Sequence, residues 1–428
     1  MRIGIYVTAE PFWGGVYQYT FNLINALKKH DNSNTYFIFI ASQDRSFDSF
    51  AGNGWEVIHL LRGQSKASSY FAKLAARAFS LIKEQLMQTR ASILKDFPLA
   101  VTINRLVKKK VYDNTILAAM KAYVAEKAID LMIYPTHNNE AIEVGIPFII
   151  AVHDIQHKLQ PEFPEVSADG EYEARERFFS TVPLMAVAVL VDSEVGKEDI
   201  TQLYHVASER VEIMPFIPPH YLFEEISPEA IDSVKVKYNL PEKYLFYPAQ
   251  FWPHKNHERI VRALHHLKQT RGLQIHLVLV GSTRCKFSTF NRVMAVAKEL
   301  AVNDQIRYLG YVPASDMLPL YSGALALVMP TFFGPTNIPI LEAFALKCPV
   351  ITSDIRGIRE QVGKAGLLID PRNVEQLAEA IFKVSTDENT RIRLIDEGLK
   401  AIARWTEADF ALKLIDIINR QSNIISKS

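Results

Sequence analysis

The sequence has almost no cysteine. Two occur in 428 residues, Cys285 and Cys348, which is too few for a disulfide-stapled scaffold, and they lack metal-ligand spacing. They fit a reducing compartment, as small buried residues. An excess of either charge is also missing: 48 Lys and Arg face 47 Asp and Glu, a net charge of +1. That excludes a globally basic nucleic-acid binder, though not a local basic patch. No apolar run reaches about 18 residues, and the opening residues read directly into a strand, RIGIYV, instead of a signal peptide. A cytoplasmic protein is expected, or one held peripherally on the cytoplasmic face of a membrane. Internal repeats and low-complexity tracts are lacking too.

What is present is apolar material: 48% of residues are hydrophobic and 22% charged, a globular composition. The length exceeds one ordinary core, so two domains of roughly 200 residues are expected. Short runs rich in β-branched and aromatic residues alternate with helical patterns. RIGIYV (2–7), TYFIFIA (35–41), LMIYP (131–135), PFIIAV (147–152) and VAVLVD (187–192) predict strands buried on both faces. A Pro-rich break, MPFIPPHYLFEE (214–225), interrupts the rhythm. It resumes with KYLFYPA (243–249), HLVLVG (276–281), IRYLGY (306–311), ALALVMP (324–330) and CPVITSD (348–354). The expected fold is α/β, two doubly wound Rossmann-like domains facing a cleft, with ligands at the C-terminal ends of the strands. The first domain spans 1–216 and the second 217–404, followed by an amphipathic helical segment in 405–428.

Residues 62–128 break the pattern with helical stretches and no obvious strand. Between 62 and 110 there are eleven basic residues and two acidic ones, Glu84 and Asp96, with apolar residues such as Phe71, Leu74 and Ile82 between them. Such a segment suits an anionic membrane surface, and equally a solvated helical insertion with a basic outer face.

Four stretches carry candidate chemistry. Gly14-Gly15 lies between the first strand and the first helix, where glycine lets a backbone approach a ligand and the helix start favours an anion; a tight turn alone would also use it. His153 and Asp154 follow a buried strand at its cleft end, where an imidazole can bond a substrate hydroxyl or move a proton, or cap the strand. His157 reads as a loop residue. Lys255 lies in the loop before a helix that starts near Asn256 or His257, a phosphate-site arrangement or simply an exposed surface lysine, with Gln250 five residues ahead to bond neutral oxygens. In TFFGPTNIPILEA (331–343), Pro339 suits a helix start. Free N–H groups around Asn337 and Ile338 would then face an anion, and Glu342 could accept two hydroxyl bonds from a sugar diol or complement the helix dipole.

Taken in order, these stretches resemble the retaining nucleotide-sugar glycosyltransferases of the GT-B fold, family four of the sequence-based classification (glycosyl transferases group 1). The similarity spans nearly the full length. Gly14-Gly15 looks like that family's first-loop glycine pair, VHD (152–154) its cleft histidine segment, the Lys255 loop its phosphate loop, and PILEAFALKCPVITSD (339–354) its donor-site signature. FWPHKNH and FGPTNIP resemble a variant subgroup. The resemblance implies that Gly15, with Gly14, approaches the donor diphosphate and that His153 contacts the transferred sugar. Lys255 would neutralise the departing diphosphate, aided by the backbone of Asn337 and Ile338, and Glu342 would hold the ribose. The terminal helix would cross back to the N-terminal domain. No metal or other cofactor is implied, since Lys and helix dipoles can stabilise the leaving group.

Two positions depart from the pattern. Gly334 stands where the family has a first glutamate, and Gln250 where its phosphate loop has an arginine; Arg284 or Lys286 could supply the missing charge. The resemblance implies transfer of a hexosyl or deoxyhexosyl unit from a nucleotide diphosphate sugar, GDP-mannose preferred. The acceptor would be a glycan or lipid-linked glycan, in polysaccharide or cell-envelope biosynthesis. A nucleotide-sugar epimerase and a non-catalytic glycan- or lipid-binding scaffold are the alternatives.

Overall fold

The structure, a computed structural model, describes residues 1–11, 14–60, 113–219, 222, 226–283 and 286–425. The basic stretch 62–110 and Arg284 lie outside the described residues. The chain divides into two compact units, residues 1–10 with 32–149 and residues 11–31 with 150–428.

Among the described residues, thirteen strands form two sheets. Those of the first are β1 (Arg2–Val7), β2 (Thr35–Ile40), β3 (Trp55–His59), β4 (Leu131–Tyr134), β5 (Phe148–Val152), β6 (Ala188–Val191) and β7 (Val211–Ile213). Those of the second are β8 (Tyr244–Pro248), β9 (His276–Val280), β10 (Ile306–Tyr308), β11 (Ala326–Met329), β12 (Val350–Ser353) and β13 (Gly366–Ile369). The orders are β3-β2-β1-β4-β5-β6-β7 and β10-β9-β8-β11-β12-β13. Pairings such as β1 with β2 and β8 with β9 are parallel. Both sheets are doubly wound, as expected. Parallel strands need crossover helices on both faces, which is why β4, β5, β6 and β11 are buried along their whole length.

Each order reverses once. In the second sheet the reversal falls between β8 and β11, which pair directly through Ala326 with Leu245 and Leu327 with Phe246. The loops leaving those two strands, 249–256 and 330–337, therefore diverge at the place where such sheets open a binding crevice. The core beneath is aliphatic and aromatic, with Tyr247, Phe251, Leu279, Val328 and Phe344 all at most 2% exposed.

Three helices matter below. α1 (Gly15–His30) starts at the glycine pair, and α2 (Ile338–Ala345) ends the TFFGPTNIP loop. α3 (Glu407–Ile425) packs on α1, where Asn25 donates to Glu407 at 2.8 Å. No helix among the described residues is long and apolar enough to cross a membrane.

Candidate active site

The site grows from two glycines and two loops. Gly14 caps α1 with φ +66°, left-handed backbone that favours glycine, and a Cβ there would meet nothing within 4 Å among the described residues. A Cβ on Gly15 would stand 3.9 Å from Cδ1 of Ile338. The glycine pair thus lies beside the start of α2, and the open space at Gly14 leaves backbone accessible to a ligand.

At α2 the structure corrects one expectation. The N–H of Asn337 is not free: it donates to Oε1 of Gln361 at 2.9 Å, while Nε2 of Gln361 donates back to the Asn337 carbonyl at 2.9 Å. A side-chain amide thus occupies the backbone of the helix cap. The Ile338 N–H remains without a partner among the described residues, and Pro339 has none to offer. Glu342 is half-buried. Its Oε2 accepts from the Tyr321 hydroxyl at 2.6 Å, and burial raises its pKa against that bond.

Lys255 ends a single 3-10 turn, Pro253–Lys255, after β8. Its ammonium has no hydrogen bond or ion pair among the described residues. Burial pushes its pKa down to about 8, opposed by the carboxylates of Asp154 and Glu165. Neighbouring contacts hold the turn: the His254 carbonyl accepts from the Phe332 N–H at 2.8 Å, and the His254 ring stacks on Phe333 with centroids 3.8 Å apart. The two switch-point loops are therefore tied together at Lys255. Gln250 is engaged as well, its Oε1 accepting from the Trp252 indole at 2.7 Å. Lys286, an expected substitute cation, pairs with Asp169 at 2.6 Å.

His153 packs edge-on against Tyr19 with ring centroids 4.7 Å apart, and lies 5.8 Å from Phe216. His157 is not a loop residue. It lies in the helical turn Gln156–Leu159, fully buried, stacked on Phe179 and 2.9 Å from the Tyr204 hydroxyl. Burial lowers its pKa despite Glu176, so it is a neutral core histidine.

Two carboxylates escaped the sequence reading. Asp192, 3% exposed, follows β6 and accepts from the hydroxyls of Thr336 and Ser193. Burial pushes its pKa up to about 7, against those bonds and with a contribution from Asp154. Its signal was available: an acidic residue at the C-terminal end of a buried strand, within a run read wholly as strand. Glu165 accepts from both the backbone N–H and Nδ1 of His254, the former at 2.8 Å. Although burial opposes it, those bonds hold the Glu165 carboxyl below its usual range, and burial pushes His254 down to about 4. The pair is an ionised glutamate and a neutral histidine with its proton on Nδ1. No spacing in the sequence links residues 165 and 254.

The structure thus brings Gly15 to Ile338, Thr336 to Asp192, and the His254 turn to the 331–333 loop, with unpaired Lys255 between charged neighbours. Residues 230–401 match the family model of glycosyl transferases group 1. The two-sheet fold is that of GT-B glycosyltransferases. The chain is similar over 99% of its length to sucrose-phosphate synthase of Thermosynechococcus elongatus (18% identical, 99% of that chain, TM-score 0.72). It is similar over 98% to Anabaena Alr3699/HepE solved with UDP and glucose (16% identical, 100% of that chain, TM-score 0.70). Among curated proteins, O-antigen chain mannosyltransferase B of Escherichia coli is 28% identical over 215 residues, 50% of this chain and 55% of that protein. The chain spans about half the length, or less, of the curated mannosyltransferases it matches.

Gly334 has its own local reason. Its φ is +107°, and a Cβ would lie 3.0 Å from Nδ2 of Asn337. The backbone is shaped for glycine, so a glutamate cannot simply be restored there. Gly334→Glu is expected to cost about 1–3 kcal/mol through backbone strain and to lower the thermal unfolding midpoint. An unchanged midpoint would show that the loop adapts.

Proposed function

We propose that the protein is a retaining glycosyltransferase. It moves a hexosyl or deoxyhexosyl unit from a nucleotide diphosphate sugar, GDP-mannose preferred, to a glycan or lipid-linked glycan in polysaccharide biosynthesis. The observation that carries this reading is the unpaired Lys255 ammonium at the switch point of the second sheet, tied to the loop that starts α2. The similarity to proteins named O-antigen chain mannosyltransferases supports a mannosyl unit and a polysaccharide acceptor.

In this reaction the bond from the anomeric carbon to the diphosphate breaks through an oxocarbenium-like transition state, as in other glycosyl chemistry. The acceptor hydroxyl forms the new bond on the face the diphosphate leaves and passes its proton to an oxygen of the departing diphosphate. The main demand is stabilising the departing diphosphate. Lys255, the Ile338 N–H and the α2 dipole supply fixed positive potential for it without reorganising at the moment of reaction. Glu342, oriented by Tyr321, accepts the ribose hydroxyls. His153, steadied by Tyr19 and Phe216, contacts the sugar. Asp192 positions Thr336 in the loop that carries Gly334.

The deciding experiment is incubation of the protein with GDP-mannose and UDP-glucose, with and without a mannose-terminated oligosaccharide acceptor. Acceptor-dependent release of GDP, with product retaining the donor's anomeric configuration, is expected. An isomerised sugar formed from donor alone would replace transfer with epimerisation, and absence of any nucleotide binding would overturn the reading.

A further inference from the structure

A second site lies beside the Lys255 turn, in a cavity of about 300 Å³. That volume is at the small end of small-molecule pockets, which run roughly 300–1,000 Å³. None of Lys255, Gln250, Glu342, His153 or the glycine pair lines it, although Pro253 and Asn256 are in its wall.

Two helices begin in this wall, His257–Arg271 and Thr289–Glu299, and neither start is capped by a side chain. Asn256, the cap residue of the first, is turned elsewhere: its Nδ2 donates to the carbonyls of Pro330 and Pro371, both at 2.8 Å. Two uncapped helix starts place two positive dipole ends on one small volume. Buried polar groups there also lack partners. Thr289 is 2% exposed, and its hydroxyl has no hydrogen bond among the described residues. The Nε of Arg259 is buried and unbonded, and the whole guanidinium has no ion pair among the described residues.

The charge around the cavity is organised to leave Arg259 over. Glu258 binds Arg262 at 2.7 Å and lies 3.5 Å from Nε of Arg292, so one carboxylate serves two guanidinium groups. The remaining acid in the wall, Glu162, is exposed. A buried donor without an acceptor is costly, and here a guanidinium and a hydroxyl wait beside two helix starts. The common partner for such a set is a tetrahedral oxyanion, since arginine presents its N–H groups in a fork that matches phosphate. Phe163 and Phe332 add apolar wall to the cavity, which suits the ring of a phosphorylated sugar more than bare phosphate.

We propose that this cavity is a second phosphate-binding site, separate from the Lys255 position, that takes the phosphate of a small phosphorylated compound. The proposal stands independently of the donor reading.

The test is calorimetric titration of the full chain, at constant ionic strength, with inorganic phosphate, a hexose 6-phosphate and GDP. Wild type should bind the hexose phosphate more tightly than inorganic phosphate. Arg259→Gln should weaken both by about tenfold or more, Thr289→Val by less, and Arg259→Lys should recover part of the loss. GDP binding should be unchanged in all three variants, which separates this site from the donor position. Equal phosphate affinity in wild type and Arg259→Gln, no binding of either the soluble phosphates or phosphatidic acid vesicles, or phosphate that GDP displaces completely would each overturn the proposal. Vesicles containing phosphatidic acid form a further arm. Arg259-dependent binding to them, with no binding of the soluble phosphates, would keep the phosphate site and assign its source to lipid.

Discussion

Lys255→Ala is expected to lower turnover with a nucleotide-sugar donor by about 100- to 1,000-fold, the usual effect of removing one group that stabilises developing negative charge. The size follows from the position. Lys255 is half-buried, lacks a carboxylate bonded to it, and sits in a turn fixed by the Phe332 N–H and the His254–Phe333 stack. An ammonium already held and partly desolvated acts more strongly on a leaving diphosphate than a mobile surface lysine would. The pH dependence has a definite sign. With its pKa pushed down to about 8, Lys255 is an ammonium below that pH and a neutral amine above it. A diphosphate prefers the ammonium, so nucleotide affinity should fall as pH rises through about 8, and Lys255→Arg should remove that fall. Near-normal kinetics in Lys255→Ala, or a flat affinity profile across pH 7–9, would remove Lys255 from the diphosphate.

What the sequence made legible follows from burial. The ten strands read from it include every strand in the interior of either sheet, because a strand covered on both faces must be apolar along its length. The three it missed, β3, β7 and β13, all lie at sheet edges. β3 has only Trp55 and Ile58 buried, with Glu56 and His59 in it, β7 has three residues, and β13 has one buried residue. Edge strands do not need an apolar run, so none marks them.

The site divides along similar lines. The positions of Gly14, Lys255 and Glu342 were legible because each sits where chain order alone puts a loop or helix start. The partners were not. Gln361 at the Asn337 backbone, Glu165 at His254 and Asp192 at Thr336 join residues 24, 89 and 144 positions apart. Such contacts depend on how the elements pack, and no local pattern encodes them. The first of them also changes the chemistry, because it takes one of the two N–H groups that the helix start was expected to offer.

Glu342→Ala is expected to weaken binding of the free nucleotide by about 10- to 100-fold, in line with about 1.5–3 kcal/mol for hydrogen bonds to a charged group. Only Oε2 of Glu342 is engaged, by Tyr321, and Oε1 has no partner among the described residues. A ribose diol donates two bonds, so the ionised carboxylate is the form that binds it. Burial raises the Glu342 pKa, and the Tyr321 hydroxyl opposes that rise. Affinity should therefore increase as pH rises through the Glu342 pKa. Tyr321→Phe should move that increase to higher pH while leaving the plateau nearly intact, which identifies Tyr321 as a positioning residue. Glu342→Gln keeps one carbonyl acceptor and should lose less than Glu342→Ala. Calorimetry with GDP and UDP checks all three variants, and thermal unfolding controls for the loss of the Tyr321–Glu342 hydrogen bond in the alanine variant. Unchanged nucleotide affinity in a folded Glu342→Ala protein would reduce Glu342 to a partner of Tyr321 in the core, with its raised pKa a consequence of packing alone.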